Sequence, residues 1–256
     1  MDSIEITKTQ ITDAISTGKI QPFIQPIVNT NKNLVGFEAL SRWIVSDHEI
    51  RLPLEFIPII KDDQRLSENL TSSILLQLID HFKPHNNNGL FISINIYSHS
   101  LTTPVIHLLV TLNQSINVVI EILENDDLEN IDNFRMTLHY LKVKGIKIAL
   151  DDFGCDKNVN DRLFDHPFDY VKIDRLFVRD IDTNLSKLKS LQAMVTLIQY
   201  FNLPIIAEGV ETESVFKLLT NLNIEMYQGY LFSKPIPLGA KPYQPTPLAS
   251  NDFENN

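Results

Sequence analysis

Lys147-Ile148-Ala149-Leu150-Asp151-Asp152-Phe153-Gly154 is an apolar run that ends in two adjacent carboxylates and a glycine. Further on, Tyr170-Val171-Lys172-Ile173-Asp174 repeats the plan, with a lysine near the tip. Aspartates are poor strand formers and repel one another, so a chain that keeps two of them at a strand end has a cation to bind. One Asp there would read as a helix N-cap. Two of them before Phe-Gly, with a lysine after the next strand, favour chemistry.

Working outward, hydrophobic periodicity predicts strands over 23–28, 34–43, 90–94, 118–122, 146–150, 170–173, 205–207 and 226–231. Helical spacing predicts helices over 6–17, 54–62, 66–82, 101–112, 127–143 and 213–222, and another with Leu185, Leu188, Leu191, Val195 and Ile198 on one stripe. The first two strands are close enough to pair antiparallel. Eight strands with interposed helices in a chain of this length match a (β/α)8 barrel, whose active sites lie at the C-terminal strand ends. An open doubly wound sheet is the runner-up, but no Gly-rich phosphate loop follows an early strand.

With 256 residues, 43% of them hydrophobic, the chain can bury one large core, and no internal repeat is visible. We expect a single domain over 1–237 and a loosely held tail over 238–256, where Pro242, Pro245 and Pro247 precede a polar end. Apolar runs are short and broken, and the N-terminus lacks a basic start, so we expect a cytoplasmic protein without a membrane span. Cys155, the only cysteine, forms no internal disulfide, and no Cys/His spacing suggests zinc. A net charge of −10 argues against DNA as a partner, because duplex binding neutralises many phosphates. An anionic ligand would need a local positive centre.

The barrel rule assigns Glu38, Asn95, Glu121, Asp151, Asp152, Lys172, Glu208 and Gln228 to the strand ends. Nearly all are oxygen donors, the set that Mg2+ and Mn2+ prefer. Taken singly, Glu38, Glu121 and Lys172 read as surface charges and Glu208 as a loop residue. Asn95, between Ile94 and Ile96, needs a buried partner. Recurrence at successive strand ends outweighs any single member. Five carboxylates in one mouth would repel or take up protons unless cations offset them.

These residues carry a resemblance. Glu38-Ala39-Leu40 with Arg42 is the signature of the EAL domain family. The chain resembles that family from about Gln21 to Pro237, through Gln25-Pro26-Ile27-Val28, Ile94-Asn95-Ile96, Glu121-Ile122-Leu123-Glu124, Asp151-Asp152-Phe153-Gly154, Lys172-Ile173-Asp174, Ala207-Glu208-Gly209-Val210-Glu211 and Gln228-Gly229-Tyr230. The resemblance implies a modified triosephosphate-isomerase-type barrel with one antiparallel strand. It also implies hydrolysis of the bacterial messenger cyclic di-GMP to linear pGpG, with two Mg2+ or Mn2+ ions.

By the same resemblance Glu38, Asn95, Glu121 and Asp151 hold the first ion, with Asp151 bridging to a second held by Asp152 and Glu208. Lys172 orients the attacking water, Glu208 is a candidate proton acceptor, and Gln25, Leu40, Arg42 and Gln228 contact the ligand. Glu124 and Glu211 anchor a loop that completes the second metal position in a homodimer. Two departures stand out. The family continues Asp-Phe-Gly-Thr-Gly-Tyr-Ser-Ser where this chain has Cys155-Asp156-Lys157-Asn158-Val159, and Ile60-Lys61 replaces a common Ala-Glu. A cyclic di-GMP receptor or a protein-binding regulator with weak or absent turnover therefore stands as the alternative.

Overall fold

The structure, a computed structural model, describes residues 6–83, 87, 89–123, 131–155 and 167–240. Its strands are β1 (Ile20–Asn29), β2 (Leu34–Ser46), β3 (Glu49–Arg51), β4 (Phe91–Asn95), β5 (Asn117–Leu123), β6 (Lys147–Phe153), β7 (Tyr170–Ile173), β8 (Ile205–Ala207), β9 (Met226–Gln228) and β10 (Ile236–Pro237). Its α-helices are α1 (Lys8–Ser16), α2 (Pro53–Ile60), α3 (Gln64–Phe82), α4 (Thr103–Leu112), α5 (Ile131–Val143), α6 (Arg175–Val178), α7 (Leu185–Tyr200) and α8 (Glu213–Asn221).

The sheet closes on itself. Strand order β1-β9-β8-β7-β6-β5-β4-β2 returns to β1 through the β1–β2 pairing, giving the expected eight-stranded barrel, with β10 and β3 added at its two ends. β1 runs antiparallel to both β2 and β9, and every other pair around the ring is parallel. The reversal has a local cause. Asn29 Oδ1 accepts the backbone N–H of Asn31 and of Asn33, each at 3.0 Å, and Lys32 takes a φ of 59°, so the link is a tight turn. A connection that short joins only antiparallel neighbours.

Side-chain alternation divides the molecule into two cores. Outward positions of the strands pack against the helices; α3, for example, buries Leu70, Ile74, Leu78 and Phe82 along one face. Inward positions fill the barrel. Ile27, Phe91, Val119, Ala149 and Ile206, joined by Val35, Tyr170 and Met226, form a separate apolar cluster supplied by all eight barrel strands. The inward position of β2 opposite Phe91 is Gly36, where an added Cβ would lie 2.7 Å from the Phe91 ring. That glycine makes room for the aromatic plug.

Several expectations are corrected. The strand predicted over 226–231 ends at Gln228, because the chain turns where Gly229 packs on Val210; a Cβ at Gly229 would stand 2.1 Å from the Val210 carbonyl oxygen. β3 and β10 were not foreseen; they are two or three residues long and exist by pairing with β2 and β1. α6, also unforeseen, is one turn capped by Asp174, whose Oδ1 accepts Leu176 N–H at 2.8 Å. The helix predicted over 127–143 is described as Ile131–Val143, and residues 124–130 lie outside the described set, as do residues 156–166 and 241–256. None of the described helices is long and apolar enough to cross a membrane.

Candidate active site

One step of two residues along each barrel strand changes what faces inward. Above the apolar cluster stand Gln25, Glu38, Asn95, Glu121, Asp151, Lys172 and Gln228, with Glu208 immediately after β8. Glu38 lies within β2 rather than at its end, because β2 continues past the rim to pair with β1 and β3. Register still brings it to the common level: it faces Gln25 on β1 and Ser93 on β4, while Asn95 faces Glu121.

Asp151 and Asp152 need a special backbone. Strict alternation would send the second to the opposite face of the sheet. Asp152 instead takes a φ of 54°, and the β6–β7 register slips between Leu150 and Phe153. Carboxylate oxygens of Asp151, Asp152 and Glu208 thereby come within 4.8 Å of one another. Glu208 is set by the next residue: Gly209, at φ 67°, leaves a space in which a Cβ would stand 2.4 Å from Arg175 Cβ. Left-handed backbone and close packing together require glycine there.

Lys172 is the hub. Its Nζ lies 2.6 Å from Glu208 Oε1, 2.9 Å from Glu121 Oε1, 3.2 Å from Asp151 Oδ1 and 3.6 Å from Glu38 Oε1, and its side chain is 1% exposed. Around it, Asn95 donates to Glu38 Oε1 at 2.8 Å; it is exposed at the end of β4 rather than buried in the apolar run as expected. Gln228 donates to Glu38 Oε2 at 2.5 Å and to Gln25 Oε1 at 3.0 Å, and Gln25 donates to the Ser233 carbonyl at 3.1 Å. Four distant segments of chain are fastened by one amide network.

One ammonium cannot satisfy these carboxylates. Burial favours the neutral amine of Lys172, but Asp151, Glu121, Glu208 and Glu38 outweigh it and hold the lysine charged. Burial pushes the Glu121 carboxyl well up, and Glu38 and Asp151 add to it; burial raises Asp151 likewise. Asp152 is pushed up to about 6 by burial and by Asp151, and Glu208 to about 8 by burial and then by Asp151 and Glu38. Only Glu38 goes down, where Lys172 and the amides of Gln228 and Asn95 overcome its burial.

Both oxygens of Glu121, and Asp151 Oδ1, are buried with no hydrogen bond. Lys172 is their nearest cation, and it is shared with Glu38 and Glu208. Buried acceptors left without donors carry a large desolvation cost, and among the described residues the carboxylates close enough to share one divalent cation are Asp151, Asp152 and Glu208, while Lys172 stands among Glu38, Glu121 and Asp151.

The remaining predicted residues lie further out. Leu40 and Asn95 line a cavity of about 220 Å³ between β2, β4, α2 and α3, whose wall also includes Ser41, Ile57, Leu70 and Thr71. Arg42 is half-buried, its Nη1 donating to the Ser41 carbonyl at 2.8 Å and its guanidinium 5.9 Å from the Phe23 ring centroid. Glu211 is exposed, as is Lys61, which faces solvent at the end of α2. Glu124 and the divergent loop from Asp156 lie outside the described residues. Ser93 was missed: fully buried beside Glu38, it carries no charge to mark it, and only its place two residues before Asn95 could have signalled it. The cavity was missed too, since its walls come from ordinary apolar positions.

Comparison with known proteins identifies the family and the fold. Residues 8–235 match the sequence model of the EAL domain. An uncharacterised protein of Mycobacterium tuberculosis is 33% identical over 237 residues, covering 86% of this chain and 38% of that protein. The Escherichia coli K12 protein named "Probable cyclic di-GMP phosphodiesterase PdeI" is 30% identical over 242 residues, covering 90% of this chain and 31% of that protein. Klebsiella pneumoniae BlrP1, solved as a manganese and cyclic di-GMP complex, superposes with a TM-score of 0.71 at 28% identity, over 85% of this chain and 56% of that one. The chain spans less than half the length of the curated relatives it matches.

Proposed function

The chain belongs to the EAL domain family, and we propose that it hydrolyses cyclic di-GMP to linear pGpG with two divalent ions, Mg2+ or Mn2+. The observation that carries this reading is the convergence of Glu38, Glu121, Asp151 and Glu208 on Lys172 at one rim. A binding scaffold has no physical need for so costly a cluster.

In this reading Glu38, Asn95, Glu121 and Asp151 would hold one ion, and Asp152 and Glu208 with Asp151 the other. Two ions so held would offset the carboxylate charge, polarise the phosphodiester and lower the pKa of a water. Lys172, kept protonated by its neighbours, orients that water and meets charge developing on the phosphate oxygens. Glu208, at 20% the most exposed of the four carboxylates around Lys172, would accept the proton the water loses. Gln25 and Gln228 hold Glu38 in place and border the ligand. The planar fork of Arg42 suits a phosphate, and the cavity behind Leu40 takes one purine.

We assign residues 1–237 to one barrel domain and 238–256 to a C-terminal tail. The substrate class implies a cytoplasmic location, and the family resemblance a homodimer in which Glu124 and Glu211 anchor the loop after Gly154. That loop favours a second reading. Cys155-Asp156-Lys157-Asn158-Val159 lacks the second glycine of active relatives, so a receptor that binds cyclic di-GMP with little turnover is the alternative.

Purified protein incubated with cyclic di-GMP and Mg2+ or Mn2+, with pGpG followed by chromatography, decides between them. Metal-dependent pGpG is the expected result. Binding without product would favour the receptor, and neither binding nor product would overturn both.

A further inference from the structure

Asp152 and Glu208 reach the second ion position from the two strands that flank β7. Ile173, the last residue of β7, pairs with Phe153 on one side and with Ala207 on the other, so Asp152 precedes and Glu208 follows a member of one row. The short helix α6 begins two residues after Ile173 and touches the chain beside each ligand.

Resting on the two-ion reading above, we propose that α6 is a bracket that sets the spacing of Asp152 and Glu208, with Phe177 and Met194 as positioning residues for the second ion. Each ligand is joined to α6 through a nearby glycine. A Cβ built on Gly154 would stand 2.5 Å from Met194 Cε and 2.9 Å from the Phe177 ring, and one built on Gly209 would meet Arg175 Cβ. Both glycines have left-handed backbone, at φ 99° and 67°, so conformation and close approach alike leave no place for a side chain. Glu208 N–H also donates to the Ile173 carbonyl at 3.1 Å.

The turn at Asp152 needs such support. At φ 54° an aspartate occupies a region that persists only when its surroundings over-determine it. One restraint is Cys155 N–H, which donates to the Asp152 carbonyl at 3.1 Å and closes the turn. The other is the floor under Gly154, where Phe177 and Met194 pack against the main core and stop the turn from settling toward α6 and α7. The bracket is held in its turn by the Asp174 cap and by Arg179 N–H, which donates to the Arg175 carbonyl at 2.8 Å. Glu38, Asn95 and Glu121, assigned to the first ion, lie on β2, β4 and β5, none of which pairs with β7. A fault in the bracket therefore falls on the second ion before the first.

The test counts Mn2+ bound to the full chain by equilibrium dialysis, free ion being read by electron paramagnetic resonance, with melting temperatures taken on the metal-free samples. Wild type is expected to bind two ions, and Asp152→Asn marks which step of the isotherm belongs to the second. Phe177→Ala and Met194→Ala, which open the floor from α6 and from α7, should each weaken that step about tenfold and leave the other within about twofold. Met194→Ala decides alone if Phe177→Ala does not fold. Phe177→Leu and Met194→Leu keep the floor filled and should hold the second step within about threefold of wild type. Leu109→Ala opens a cavity in α4 and should lower the melting temperature with both steps unmoved. An undiminished second step in Met194→Ala or in folded Phe177→Ala, equal weakening of both steps, leucine variants as weak as the alanines, or the same weakening in Leu109→Ala would overturn the bracket alone. A wild type that binds fewer than two ions, or an Asp152→Asn variant that keeps both, would overturn the two-ion reading and the bracket with it.

Discussion

The lower and upper halves of the barrel are built from the same strands and differ by a step of two residues. On β5 the step is Val119 to Glu121, on β6 Ala149 to Asp151, on β7 Tyr170 to Lys172, and on β8 Ile206 to Glu208. Below the step, apolar side chains interlock and burial stabilises the fold. Above it, burial raises carboxyl groups and leaves oxygens without donors. The proposed site thus sits on the half that costs stability, supported by the half that supplies it.

The comparison breaks most sharply at Lys172. Lys172→Met keeps the length of the side chain but leaves the surrounding buried carboxylates unneutralised, so metal-free protein should lose about 3–5 kcal/mol by urea unfolding in EDTA. Removing a buried pair's partner has that scale. A loss under about 1 kcal/mol would mean that the mouth is solvated rather than charge-locked.

Divalent metal should act on the upper half alone. Saturating Mn2+, at about a hundred times its dissociation constant, should add about 2.7 kcal/mol, or roughly 5–10 °C in melting temperature. At one fixed manganese concentration the gain should be larger at pH 8 than at pH 6. A carboxyl whose folded pKa lies above its unfolded value favours the fold at low pH, and that contribution is lost as pH rises through about 6 for Asp152 and about 8 for Glu208. Metal-free protein therefore weakens across that window. Metal meanwhile binds more readily as the competing protons leave. A manganese shift that shrinks from pH 6 to pH 8 would contradict the assignment.

Much of the lower half was legible in the sequence, because alternating apolar residues are the direct imprint of a two-faced strand. Strands β4 to β8 begin and end within a few residues of their predicted limits. β3, β10 and α6 were not legible, since they are too short to carry a period and owe their existence to a neighbour or to the Asp174 cap. In the upper half, residue types predicted an oxygen-rich mouth but not its geometry. The four carboxylates around Lys172, the left-handed turn at Asp152 and the buried Ser93 depend on register and backbone angle, which no local pattern encodes.

Neighbouring inward positions of β5 put opposite signs to the test. Val119→Ala opens a hole in the apolar cluster and should cost about 2 kcal/mol, with manganese affinity unchanged. Glu121→Gln leaves Lys172 three other carboxylate partners and relieves burial and like-charge repulsion at Glu121, so the metal-free protein should gain about 1–2 kcal/mol. The same change should weaken manganese binding at least tenfold, about the loss that follows even when a group that only supports a ligand is removed. Titration calorimetry and urea melts on the two variants would read both quantities. Loss of stability in both would erase the distinction between the halves.

The smallest effect is expected at Gly36, and its sign depends on two opposed terms. A methyl group there would stand 2.7 Å from the Phe91 ring, which is enclosed by the cluster and cannot swing aside. Overpacking of that kind costs about 1–3 kcal/mol. Against it, Gly36 lies in a strand without a positive φ, so replacing glycine recovers about 0.5–1 kcal/mol of backbone entropy. Gly36→Ala should therefore be destabilised by about 1 kcal/mol, with metal affinity and turnover intact. If the methyl group instead abolished manganese binding, the displaced Phe91 would be moving Ser93 and Glu38 above it, and plug and mouth would have to be treated as one mechanical unit.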